Sequence, residues 1–75
     1  MSDIVVVRAK YKNGTEETEI TFDKNITGAE LIEAVNSSFG LKMKGLTMDN
    51  PPGYISGNRL LEEYEIHNAS IIFLD

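Results

Sequence analysis

Few side chains in this 75-residue sequence could take part in chemistry, and their spacing isolates them. His67 is the single histidine. Acid–base or metal-binding work would require partner groups that its neighbours do not supply, so it reads as a surface-loop histidine. Glu16-Glu17 and Glu62-Glu63 could be taken for paired carboxylates. Successive residues of an extended strand point to opposite faces, however, so Glu16 and Glu17 cannot converge, and both pairs read as solvated charge. Asp49-Asn50, followed by two prolines, suits the start of a turn; a calcium loop would need more oxygen ligands at regular intervals. There is no cysteine, which excludes disulfides, thiolate metal sites and cysteine nucleophiles. The glycines form no phosphate-binding fingerprint. No catalytic residue, cofactor or metal is expected.

Composition narrows the partner class. Twelve acidic against seven basic residues leave a net charge of −5, a surface that nucleic-acid phosphates would repel. A protein with a basic or apolar face fits better. The first residues, Met-Ser-Asp, lack the basic and apolar regions of a secretion signal. No apolar run approaches the ~18 residues of a membrane span. A cytoplasmic protein without direct membrane insertion is expected. The length suits a single domain over residues 1–75 with one small core, in which each large apolar side chain contributes roughly 1.5–3 kcal/mol.

The element that must organise such a core is the one convincing helix, residues 26–41 (ITGAELIEAVNSSFGL). Thr27 and Glu30 form a Thr-x-x-Glu capping box, and Ile26 with Leu31 occupy the positions of a hydrophobic staple. Helical spacing puts Leu31, Ala34, Val35, Ser38 and Phe39 on one face, with Ile32 at its edge. Glu30, Glu33, Asn36 and Ser37 fall opposite. Gly40 is the expected left-handed stop, with Leu41 folding back over the last turn.

The rest reads as strand and turn. Residues 4–11 (IVVVRAKY) are rich in β-formers and 15–22 (TEETEITF) form a returning strand. A two-residue Asn13-Gly14 turn would pair residues whose numbers sum to 27. Val7 then faces Ile20 and Val5 faces Phe22 on one side, while Arg8 faces Glu19 and Lys10 faces Glu17 on the other. Residues 46–48 suit a short strand with Leu46 and Met48 inward, and 49–53 (DNPPG) a turn. Tyr54-Ile55 suits an edge strand. Residues 56–58 turn again. Residues 59–66 suit a 3₁₀ turn or ordered loop burying Leu61 and Ile66, and 69–74 a last strand. Hairpin, helix, short strands and a final strand predict an α+β, β-grasp arrangement: a mixed four- to five-stranded sheet with one helix packed across it.

From Thr15 onward these residues resemble ubiquitin with almost no insertions. The likeness rests on the Thr27 cap, Leu31, Val35, the Gly40 stop, Leu41, and the segment Leu61-Glu62-Glu63-Tyr64-Glu65-Ile66. It implies a ubiquitin-like β-grasp fold in which Tyr64 hydrogen-bonds nearby backbone. Two departures stand out. Ubiquitin-type modifiers and sulfur carriers of this fold end in a flexible diglycine tail, whereas Phe73-Leu74-Asp75 falls at the end of the last strand, so neither conjugation nor sulfur transfer is expected. The apolar recognition patch of ubiquitin would place Asp49, Phe73 and Asp75 at its isoleucine, histidine and valine positions. An acidic residue there carries a desolvation cost that ordinary ubiquitin receptors would not overcome.

Within the ubiquitin-like group the chain is most similar to the YukD (EsaB) family of Gram-positive bacteria. That similarity lies in Ser56-Gly57, Ile66-x-Asn68-Ala69-Ser70 and Ile72-x-Leu74, and in Tyr11 with Asn13-Gly14. It implies an accessory or regulatory cytosolic component of a type VII secretion system, contacting cytoplasmic parts of its membrane components. The alternative is a ubiquitin-like adaptor domain of a larger eukaryotic protein. In either case the face of the sheet opposite the helix would carry Ile4 and Val6 beside Ile71 and Phe73, flanked by Arg8, Thr47, Asp49 and Asp75. An uncovered face can keep such residues for strand propensity alone. Contiguous exposed apolar area on a small domain otherwise marks a docking surface, and Ile4, Val6, Arg8, Ile71 and Phe73 are its candidates.

Overall fold

The computed structural model describes residues 3–74. Strands β1 (Ile4–Tyr11) and β2 (Glu17–Asp23) are followed by helix α1 (Gly28–Phe39). Then come β3 (Leu46–Asp49), β4 (Gly53–Ile55), a 3₁₀ turn (Leu61–Tyr64) and β5 (Ile71–Leu74). The strands form one five-stranded sheet in the order β2-β1-β5-β3-β4. β1 and β5 run parallel side by side and the other neighbours are antiparallel, so the first and last strands meet inside the sheet as expected.

The β1–β2 ladder has the expected register, with Val7 opposite Ile20, Val5 opposite Phe22 and Lys10 opposite Glu17. The turn differs. Gly14 N–H donates to Tyr11 O at 2.9 Å, so the tight turn spans residues 11–14, and neither Asn13 nor Gly14 takes a positive φ. β2 begins only at Glu17, leaving 12–16 as a longer loop. Tyr11 is drawn away from β2 because it pairs with Leu74 of β5 and meets the Phe39 ring edge-on, 6.5 Å between centroids. Register survives the change of turn because the alternation of apolar residues fixes it: a one-residue slip would bring Val5, Val7 and Phe22 out of the core.

Helix α1 starts and stops where its capping residues dictate. Thr27 Oγ1 accepts from Glu30 N–H at 3.2 Å, and Glu30 Oε1 accepts from Thr27 N–H at 3.1 Å. Gly40 takes the left-handed conformation at φ 67°. The buried face is rotated from expectation. Gly28, Leu31, Ile32 and Val35 are buried, while Ala34 and Ser38 are exposed. Gly28 explains the rotation. A Cβ there would sit 2.9 Å from Ile55 Cγ2, so the bare backbone lets the first turn press on β4 and turns Ile32 inward. The first two helical N–H groups are satisfied by the chain itself: Gly28 donates to Arg59 O at 2.9 Å and Ala29 to Gly57 O at 2.7 Å.

The core lies between α1 and one sheet face. Val7, Leu46, Ile55, Leu61 and Ile72 lose all contact with solvent there, and Val5, Ala9, Phe22, Leu31, Val35, Met48 and Leu74 nearly all. Loops are pinned individually. Ser70, the one buried polar residue among those described, donates to Asn50 O at 2.8 Å and accepts from His67 N–H at 3.0 Å. Tyr64, as expected, donates its hydroxyl to Ser56 O at 2.7 Å, tying the 3₁₀ turn to the end of β4.

Candidate functional site

The helix covers only one side of the sheet. The other side presents the alternate residues of every strand, and the ladders fix their rows. Arg8 of β1 lies beside Ile71 of β5, which lies opposite Asp49 of β3. In the next row Lys10 lies beside Phe73, Phe73 opposite Thr47, and Thr47 opposite Tyr54. All five candidate docking residues, Ile4, Val6, Arg8, Ile71 and Phe73, therefore share this face. Their grouping differs from the sequence-level expectation, because β5 begins level with Arg8 rather than with Ile4. Arg8 N–H donates to Ser70 O, and Val6 N–H is taken instead by Asn68 Oδ1 at 3.1 Å. Ile4, 49% exposed, and half-buried Val6 form one apolar end. Half-buried Ile71 and Phe73 form the other, with Arg8 and Lys10 alongside. Of the expected flanking residues, Asp75 lies outside the described residues.

The Arg8 guanidinium reaches diagonally to Glu17 at 3.8 Å rather than to Glu19 directly opposite. Both groups are solvated, so the pair adds little stability and Arg8 remains accessible to a partner.

A cleft of about 310 Å³ opens at the Phe73 end of this face. Phe73, Thr47 and Tyr54 contribute from the sheet, and Met43, Lys44 and Gly45 from the loop that follows α1, with Lys12 from the hairpin loop. Tyr54 is 59% exposed yet held close: a Cβ on Gly45 would run into its hydroxyl and ring. The loop wall is fastened by Asn36, expected on the solvent face of the helix. Its Nδ2 donates to Met43 O and its Oδ1 accepts from Met43 N–H, each at 2.9 Å. Sequence reasoning did not find this cleft. The only local signal was the run Lys42-Met43-Lys44-Gly45, and nothing in it says which side of the sheet it reaches.

The residues first weighed for chemistry stay apart. His67 is exposed, and its Nδ1 accepts from Ala69 N–H at 3.1 Å, which occupies one of its two ring nitrogens. Glu16 lies in the hairpin loop and Glu17 in β2. Glu63 caps the 3₁₀ turn through Leu60 N–H at 3.0 Å and lies 3.9 Å from Arg59. Among the described residues no group of three or more histidine, cysteine or acidic side chains could hold a metal, and no helix is long and apolar enough to cross a membrane.

Neither a protein-family model nor a curated protein matches the chain. Among solved structures it is similar to the ubiquitin-like domain of an Arabidopsis thaliana protein, determined in solution by NMR. The two share a TM-score of 0.74 at 18% identity, over 93% of this chain and 73% of that one. With the sheet order and the single helix, this likeness establishes a ubiquitin-like β-grasp fold.

Proposed function

We propose that this chain is a non-enzymatic ubiquitin-like docking module of the YukD/EsaB kind. On this reading it is a cytoplasmic accessory or regulatory component of a Gram-positive type VII secretion system. Its partners are the cytoplasmic parts of the system's membrane components, met through Ile4, Val6, Arg8, Ile71 and Phe73. The observation that carries the docking role is the division of the sheet. One face holds the core, and the opposite face leaves four large apolar side chains in contact with water around Arg8. The YukD-like spacing of Ile66-x-Asn68-Ala69-Ser70 and Ile72-x-Leu74 supports the narrower assignment. The plant neighbour, itself a domain of a named protein, favours a second reading as an adaptor domain of a larger eukaryotic protein.

The test is a pull-down against the purified cytoplasmic portions of type VII membrane components, using Val6→Asp and Phe73→Ala. Both variants should melt close to the parent and lose capture. Capture unchanged in both folded variants, or no capture by the parent, would contradict the proposal.

A further inference from the structure

Strand β2 forms one border of the sheet and has β1 as its single neighbour. The bonds of β1 fix which backbone groups of β2 point outward. The N–H groups of Val6, Arg8 and Lys12 turn away from β2, to Asn68 Oδ1, Ser70 O and Leu74 O. The intervening residues Val5, Val7 and Ala9 therefore bond β2 through their partners Phe22, Ile20 and Thr18. Glu17, Glu19, Thr21 and Asp23 then aim their backbone groups at the border. The Asp23 carbonyl accepts from Ile26 N–H at 3.4 Å, but those of Glu17, Glu19 and Thr21 meet no partner among the described residues. The opposite border, β4, has three residues against the seven of β2. The same four outward residues are exposed and lie opposite Lys10, Arg8, Val6 and Ile4, which puts their side chains on the open face. Three of them are acidic, and Glu19 makes no ion pair among the described residues. On the core side of the border, Ile20 is left half-buried.

We infer that the free edge of β2 adds one extended peptide strand in which lysine or arginine alternates with apolar residues. Paired antiparallel, Glu19 and Thr21 each exchange two backbone bonds with that strand. The residues bonded to Glu17, Glu19 and Asp23 place their side chains beside those carboxylates, which is where the cations belong. The residues between them point to the core side, and one of them covers the open flank of Ile20. Charge also decides against a second copy of this chain: two β2 edges paired together would set carboxylates against carboxylates. The edge shares no residue with Ile4, Val6, Arg8, Ile71 and Phe73, so it stands whether or not that face binds a secretion component.

The experiment is an NMR titration of the ¹⁵N-labelled protein with acetyl-Lys-Val-Lys-Val-Lys-Val-Lys-amide. One control peptide replaces every lysine by glutamate. A second keeps the charges but carries methyl groups on the backbone nitrogens of its two central lysines, the groups that would donate to β2. Saturable shifts are expected at Glu17, Glu19, Thr21 and Asp23 with the parent peptide alone, and the Glu19 and Thr21 amides should exchange more slowly in its presence. Glu17→Lys with Glu19→Lys should weaken binding at least about tenfold, since attraction becomes repulsion. Thr21→Pro removes an outward N–H and no ladder bond, so the variant should melt close to the parent and lose the peptide. Phe73→Ala should leave affinity within about twofold, which separates the edge from the docking face. The inference is overturned if no saturable binding occurs, or if the methylated or glutamate peptide binds as well as the parent. Full affinity in Thr21→Pro would overturn it too, and so would concentration-dependent shifts at β2 in the protein alone, which would assign the edge to a second copy. If Thr21→Pro unfolds, the methylated peptide decides, because it leaves the protein unaltered.

Discussion

The two bonds from Asn36 to Met43 make a quantitative prediction that joins the fold to the cleft. Both are 2.9 Å long and part-buried, so each should contribute about 1 kcal/mol net. Asn36→Ala removes both but gains roughly 0.6 kcal/mol of helix propensity, leaving a loss of about 1.4 kcal/mol. For a domain of this size the melting temperature should fall by about 6–11 °C. Hydrogen exchange gives the more specific readout. The Met43 amide donates only into this bond, so its protection should collapse in Asn36→Ala, while amides of the β1–β5 ladder change no more than global stability requires. Asn36→Asp is the discriminating partner variant. Its carboxylate can still accept from Met43 N–H but cannot donate to Met43 O, so that amide should stay protected although stability falls. A Met43 amide exchanging in Asn36→Ala as slowly as in the parent would refute the reasoning.

Two further stability predictions follow from close packing. Ser70→Ala removes the hydroxyl of a fully buried residue and leaves the Asn50 carbonyl and the His67 N–H without their part-buried partner. It should cost about 2–4 kcal/mol by urea unfolding, and a cost under about 0.5 kcal/mol would show that water replaces the hydroxyl there. Gly28→Ala, ordinarily favourable in a helix, should instead destabilise by about 1–3 kcal/mol, because its methyl would press on Ile55. A stabilised Gly28→Ala would mean that α1 can shift off β4 freely.

What was legible in the sequence was local. The Thr27–Glu30 capping box, the Gly40 stop and the in-out alternation of Leu46, Thr47 and Met48 each need only neighbouring residues, and all hold in the structure. The β1–β2 register was legible because apolar alternation constrains it even where the turn was misjudged. Placement between distant segments was not legible. No turn links β1 to β5, so nothing local sets Arg8 rather than Ile4 beside Ile71, and the expected single apolar cluster becomes two ends. The rotation of α1 rests on a Gly28–Ile55 contact spanning the chain. Asn36 looked like a solvent-facing helical residue because its partner, Met43, lies beyond the helix stop. The cleft inherits that difficulty: its walls come from the hairpin loop, the post-helical loop and three strands, brought together only by the fold.

The central claim is that the uncovered side of the sheet is where this chain meets a partner. Its most direct test is an amide-shift map of the labelled protein on adding a purified cytoplasmic fragment of a type VII membrane component. The account predicts perturbations concentrated on Ile4, Val6, Arg8, Ile71 and Phe73, with the exposed side of α1 silent. Perturbations centred on Glu30, Glu33 and Ser37 of the helix, with the open face unchanged, would contradict it.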